Sequence, residues 1–370
     1  MSVLITGGAG YIGSHAVLEC LDRGEDVVVL DDLSTGFEWA VPEGAKLVVG
    51  AVDDHDLVTA VIAEHRVDAI MHFAGSVIVP DSLARPLDYF LNNTCRTRAL
   101  IAAAAGAGIR RFIFSSTAAV YEAPTTLKPI PENAALVPMS PYGQSKLMSE
   151  TMLREAGRAH GMEYVILRYF NVAGADPAGR AGLSTANATH VMKLACEAAT
   201  GLRDGFSIYG TDYNTPDGTA VRDFIHVSDL ASAHHAALSF LRAGGRHFTG
   251  NAGYSRGYSV REVAETVARV SGRDFPVREA PRREGDIPAI VADASRMMRR
   301  LNWRPRHASL DRIVFDALLW EDKLAGIRAA DAAGTSRRRV EAVPDLQPEL
   351  AHQPSSMPGP ATRDAVPARS

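Results

Sequence analysis

The chain has 370 residues, 46% of them hydrophobic and 22% charged, with 43 acidic against 39 basic side chains and a formal net charge of −4. Such a chain can bury a full hydrophobic core without disulfide or metal staples, which excludes collagen-like, disordered and stapled-miniprotein classes. The near-neutral balance argues against a nucleic-acid partner, which would require a basic patch to displace counterions, and favours small molecules.

In chain order, short apolar runs at residues 3–5, 27–30, 47–49, 69–73, 112–114 and 164–167 read as buried parallel strands. Helical periodicity at residues 15–23, 54–65, 86–105 and 142–160 alternates with them, which predicts a doubly wound α/β sheet. After Asn171 the alternation breaks. Helices expected at residues 189–200, 228–241 and 259–271, with a turn-rich stretch at 210–218, predict a smaller mixed α/β region.

The expected organisation is a sheet domain over residues 1–171, with returning segments from 220–250 and 290–320, and a second region over 172–325. Residues 326–370, rich in Ala, Arg, Pro and Ser without an amphipathic period, read as a disordered tail. The apolar run before the first glycines is too short for a signal-peptide core or a membrane span, so a cytoplasmic protein without membrane contact is expected. Cys20, Cys95 and Cys196 lack the paired spacing of a zinc or dithiol site, so no metal is expected and the three read as buried thiols.

Gly7-Gly8-Ala9-Gly10-Tyr11-Ile12-Gly13 follows the first strand at once and opens a helix, fitting G-x-G-x-x-G through Gly8, Gly10 and Gly13, and G-x-x-G-x-x-G from Gly7. Glycines let the backbone approach a pyrophosphate, whose charge the unpaired amides of the helix N-terminus attract. Asp31 ends the second strand 18 residues beyond Gly13 (31 − 13), near the spacing at which a carboxylate meets an adenosine ribose. That carboxylate would repel the 2′-phosphate of NADP, so the expected cofactor is NAD in a Rossmann-type domain.

Ser115-Ser116-Thr117 follows the fifth strand, and Tyr142-Gly143-Gln144-Ser145-Lys146 begins a helix after Ser140-Pro141. Tyr142 and Lys146, at i and i+4, share one helical face. A nearby ammonium, with the positive nicotinamide, would lower the phenol pKa so that Tyr142 can exchange a proton with a sugar hydroxyl. Thr117, at the carboxyl edge of the sheet, can hydrogen-bond the same hydroxyl.

These residues resemble the extended short-chain dehydrogenase/reductase family, and within it the nucleotide-sugar 4-epimerases, from Val3 to about Trp320. The resemblance is carried by Thr6 to His15, His72-Phe73-Ala74-Gly75, Asn92-Asn93, Phe114 to Thr117, Ser140 to Gly143 and Leu167 to Asn171, and downstream by Gly210 to Tyr213, Asp217 to Val227 and Pro281 to Asp286. It implies that Tyr11, Ile12, Asp31, Asp32, Leu33, Ser34, Phe73, Ala74, Gly75, Asn93 and Phe170 line NAD beside the glycines, with Thr117, Tyr142 and Lys146 at its nicotinamide end. Thr117, Tyr142, Asn171, Arg222, Arg283, Asp286 and Ile290 would hold a UDP-sugar. Read from the residues alone, Arg283 is part of a solvated charge run, Arg282-Arg283-Glu284.

The implied reaction is NAD-dependent oxidation at the sugar C4, rotation of the 4-keto sugar and hydride return to the opposite face, interconverting UDP-glucose and UDP-galactose. The resemblance also implies a homodimer formed through residues 86–105 and 142–160. Related 4,6-dehydratases carry Asp-Glu after the threonine, whereas Ala118-Ala119 stand here, so elimination lacks its acid and base. Ile290 is intermediate in size at the position beside the sugar 2-substituent, which leaves N-acetylhexosamine or pentose UDP-sugars as the alternative substrates. A non-enzymatic NAD sensor is the alternative of another class; such members lose the catalytic pair that this chain keeps.

Three positions depart from the family pattern. Ala51 stands where an Asp contacts adenine, which weakens NAD binding unless Asp53 or Asp54 nearby substitutes in part; Val77 stands where some members have a lysine, and Glu122 where glycine is usual, with strain expected if that backbone has positive φ.

Overall fold

Runs of Val, Ile and Leu satisfy both faces of a parallel sheet covered by helices, and each run predicted as a strand is one. In the computed structural model, which describes residues 1–185, 188–283 and 285–332, they are β1 (Ser2–Thr6), β2 (Asp26–Asp31), β3 (Lys46–Val49), β4 (Val67–His72), β5 (Arg111–Thr117) and β6 (Glu163–Tyr169). Between them run α1 (Tyr11–Asp22), α2 (His55–Glu64), α3 (Val79–Ala84), α4 (Pro86–Tyr89), α5 (Arg96–Gly106) and α6 (Pro141–His160). The strands lie in the order β3-β2-β1-β4-β5-β6, all parallel, with the reversal of order between β1 and β4. Ligands bind at the carboxyl edge beside such a switch point.

The remaining elements are β7 (Asn171–Ala173), α7 (Val191–Ala199), β8 (Phe206–Tyr209), β9 (Val221–Arg222), β10 (Phe224–His226), α8 (Val227–Arg242), β11 (Phe248–Ala252), β12 (Tyr258–Ser259), α9 (Val260–Ser271), β13 (Val277–Ala280), β14 (Ala289–Ile290), α10 (Ser295–Arg300) and α11 (Leu310–Ala332). β11 adds a seventh parallel strand beside β6. One apolar cluster lies between the sheet and the face that carries α1 and α8, and a second packs α2, α5 and α6 on the other face. A third joins α7, α9 and α11 into the smaller region.

Four expectations need correction. Helix α1 begins at Tyr11, not at residue 15, so the glycine loop delivers the chain straight into it. The helix expected over 86–105 is interrupted by a π-helical stretch, Phe90–Cys95. Cys95 is exposed, while Cys20 and Cys196 are buried. Glu122 carries no strain: among the described non-glycine residues positive φ is confined to Leu33, Arg66, Ser255 and Asn302. Of the returning segments, α8, β11 and α10 pack on the sheet domain, whereas α11 packs on α7 and α9. Helix α11 continues through residues 326–332, and the rest of the expected tail, 333–370, lies outside the described residues, as does Glu284.

Candidate active site

The glycine loop is shaped by close backbone approach. Gly7 has φ +73°, and a Cβ there would sit 2.5 Å from the Ala74 nitrogen; a Cβ on Gly13 would sit 2.0 Å from the Gly7 carbonyl oxygen. At Gly10 such a Cβ would meet one atom, the Gly7 carbonyl oxygen at 3.3 Å, so this side of the loop is less crowded than at Gly7 or Gly13. Gly10 is the N-cap of α1 and gives no side-chain cap, which leaves the first-turn amides to an outside anion. Asp31 ties this loop to β2: its carboxylate accepts from the Ala9 and Leu33 amides, both at 2.9 Å. Burial raises its pKa and the two amide bonds oppose that rise. Asp32 accepts from the Ser34 amide at 3.0 Å, which orders the Leu33-Ser34 turn. An open, uncapped helix N-terminus with an ordered carboxylate at the next strand fits the pyrophosphate and ribose of NAD.

Across the switch point, the β4 strand ends in His72-Phe73-Ala74-Gly75. Phe73 packs against His234 of α8 at 4.6 Å between ring centroids, and Gly75 lies against Asn93 and Lys146. Asn93 is 1% exposed and its amide is spent inside the protein, accepting from the Ser76 amide at 2.7 Å and donating to the Ser76 carbonyl and the Ser145 hydroxyl. It therefore clamps the Gly75 loop to α6, a role the sequence did not reveal.

Helix α6 starts where Ser140 accepts from the Gly143 amide and Pro141 occupies the first turn. A Cβ on Gly143 would sit 2.2 Å from the Ala119 carbonyl oxygen, so glycine lets the helix start press onto the turn after β5. That contact brings Tyr142 beside Thr117, whose hydroxyl favours the ionised phenol. Tyr142 is 6% exposed; burial raises its pKa, and Thr117 works the other way. One turn on, Lys146 is 2% exposed, donates to the Ser115 carbonyl at 3.2 Å and lies over the Phe114 ring. Burial lowers its pKa to about 8. Thr117 is thus the neighbour that opposes burial at the phenol in the NAD-free protein.

The smaller region contributes the other wall. β9 pairs with β14 so that Arg222 and Ile290 are register neighbours. The Arg222 guanidinium is 4.0 Å from Asp286; burial lowers its pKa, and that carboxylate opposes the fall. The Asp286 amide donates to the Arg283 carbonyl at 3.2 Å, which draws Arg283 to the same corner, and the Arg283 guanidinium lies 3.7 Å from the centroid of Tyr209. Its stacking on an aromatic ring is more order than a solvated charge run has. Asn171 donates its amide to the Asp223 carbonyl at 3.0 Å, and Phe170 and Ile290 share a small apolar cluster with Tyr121.

Sequence reasoning passed over two buried supports. Glu150, one turn beyond Lys146, pairs with Arg168 at 2.7 Å and accepts from Ser116 at 2.6 Å, fixing α6 to β5 and β6. A lone arginine directly after the apolar run at 164–167 and before Tyr169-Phe170 was the available signal, since a buried cation requires a partner. Asp223, fully buried, accepts from the amides of Tyr254, Ser255 and Ala292, and burial raises its pKa to about 6.

Residues 3–253 match the family described as NAD dependent epimerase/dehydratase. A UDP-glucose 4-epimerase of Azospirillum brasilense is 54% identical over 91% of this chain and 97% of its own length. Among solved structures, the UDP-glucose 4-epimerase of Brucella ovis in complex with NAD is 40% identical, with a TM-score of 0.83 over 86% of this chain and 97% of that one. That of Bifidobacterium longum in complex with NAD+ and UDP is 36% identical, with a TM-score of 0.82 over 87% and 98%. With the glycine cradle, the parallel sheet and this likeness in hand, the chain belongs to the NAD dependent epimerase/dehydratase family and is an NAD-dependent epimerase of nucleotide sugars.

Proposed function

We propose that the chain interconverts UDP-glucose and UDP-galactose by inverting C4, and the observation that carries this is Tyr142 buried beside Thr117 and one helical turn from the buried Lys146, next to the NAD cradle. Bound NAD supplies reversible hydride acceptance at the sugar C4. Tyr142 takes the proton of the 4-hydroxyl and later returns it, with Thr117 orienting that hydroxyl. Lys146, held between Gly75 and the Ser115 carbonyl, binds the nicotinamide ribose and brings positive charge to the phenol's surroundings.

Arg222 and Arg283 supply planar charged forks for the diphosphate, with Asp286 and Asn171 completing the grip on the nucleotide. Anchoring through the remote nucleotide lets the sugar turn over without escaping. Ile290, the register neighbour of Arg222, bounds the sugar pocket with a side chain of intermediate size. Gly7, Gly10, Tyr11, Ile12 and Gly13 hold the pyrophosphate, and Asp31 the adenosine ribose. Residues 1–171 form the NAD domain and 172–325 the main UDP-sugar region.

A homodimer accompanies this reading: Leu83, Leu87, Leu91 and Met148 leave apolar side chains exposed on α3, α4, the π-helical stretch and α6. Among the described residues no helix is long and apolar enough to cross a membrane, and a cytoplasmic location is part of the proposal. The test is incubation with UDP-galactose, UDP-N-acetylgalactosamine and UDP-arabinose separately, with products separated by chromatography. UDP-glucose formed from UDP-galactose supports the reading; no 4-epimer from any of them sinks it.

A further inference from the structure

The departure at Ala51 leaves the adenosine end of the NAD groove without an expected carboxylate, and the same place holds a charged group that no part of the mechanism uses. Arg96 opens α5, directly after the π-helical stretch Phe90–Cys95. Its guanidinium lies 3.6 Å from Asp32, just beyond β2, and 3.5 Å from Asp53, just beyond β3. Nη1 donates to Asn92 at 3.2 Å, while Nε is buried without a hydrogen-bond partner. The side chain is 32% exposed, so part of the guanidinium faces solvent.

Three neighbouring carboxylates, Asp31, Asp32 and Asp53, surround this corner, and Arg96 is the cation set between two of them. In a sheet of this order, with the pyrophosphate on α1, the adenosine half of a dinucleotide runs along the carboxyl ends of β2 and β3. A guanidinium is planar and weakly hydrated, and it stacks on aromatic rings as well as pairing with carboxylates. A side chain strung between Asp32 and Asp53 therefore lies where such an adenosine half would run, with its orientation fixed from both sides.

We propose that Arg96 holds the adenosine half of NAD in this chain, supplying beside β3 the contact that Ala51 lacks. The proposal rests on the NAD assignment and is separable from it. The test is titration of NAD, ADP-ribose and UDP into the full chain, for the parent, for Arg96→Ala, and for Ala51→Asp introduced into Arg96→Ala, by calorimetry. Arg96→Ala raises the dissociation constants of NAD and ADP-ribose roughly tenfold, between the scales of an exposed and a desolvated cation–π contact, and leaves that of UDP and the unfolding midpoint of the NAD-free protein unchanged. Ala51→Asp in that background recovers at least half of the lost affinity on a logarithmic scale.

NAD affinity within twofold of the parent in Arg96→Ala overturns the proposal. So does an equal weakening of UDP with a fall in the unfolding midpoint, which marks a merely structural arginine. Failure of Ala51→Asp to recover affinity overturns the compensation. A parent that binds neither NAD nor ADP-ribose overturns the proposal together with the NAD assignment, whereas a parent that binds both isolates any failure to Arg96.

Discussion

Lys146→Met is expected to make the NAD-free protein more stable while disabling it. Lys146 is enclosed with the Ser115 carbonyl as its hydrogen-bond acceptor, and burial takes its pKa from 10.5 to about 8. At about 1.36 kcal/mol for each tenfold change in acidity, holding this ammonium folded at pH 7 costs about 3 kcal/mol. Methionine has similar length and no charge, but leaves the Ser115 carbonyl without its donor, which returns about 1 kcal/mol. The net expectation is a gain of about 2 kcal/mol at pH 7. Because the folded pKa lies below the unfolded one, the unfolded chain holds the proton that the folded chain has released between about pH 8 and 10.5. The parent's stability therefore rises across that window relative to the variant's, and the gap closes. Urea unfolding of both NAD-free proteins at pH 7 and pH 10 measures this. A variant less stable than the parent at pH 7, or a gap that does not narrow at pH 10, refutes the reasoning.

Tyr142→Phe should cut epimerisation of UDP-galactose roughly a thousandfold with NAD content and fold unchanged; activity within tenfold of the parent removes the tyrosine as proton carrier. Gly13→Ala drives a Cβ to 2.0 Å from the Gly7 carbonyl oxygen, so both the unfolding midpoint and NAD content should fall, whereas Gly10→Ala, whose Cβ meets the same oxygen at 3.3 Å, should lose NAD with a smaller stability cost. Equal stability losses from the two would contradict the steric account. Glu150→Ala strands the Arg168 guanidinium in the core, and calorimetric unfolding should register a loss of about 3–5 kcal/mol. A loss under about 1 kcal/mol would mean that the pair contributes little to holding α6 against the sheet.

The sequence by itself determined the six-strand alternation, the NAD loop, the Asp31 carboxylate and the Tyr142–Lys146 face, because each is local. A buried parallel strand needs only a continuous apolar run, a tight phosphate loop needs glycines in register, and residues four apart on a helix meet whatever surrounds them. Other features were not local and were missed. β11 contains Thr, Gly and Asn, and is a strand because β6 offers an edge and Tyr121 donates to Asn251. Helix α11 hides its period because Phe315 and Leu319 are exposed among its buried Ile313, Val314 and Leu318. The clamp at Asn93, the anchor at Asp223 and the bridge of Arg96 from Asp32 to Asp53 each join segments far apart in the chain. Which polar groups meet is settled by the packing of strands and helices from distant parts of the sequence, so only the tertiary structure could decide what these residues hold.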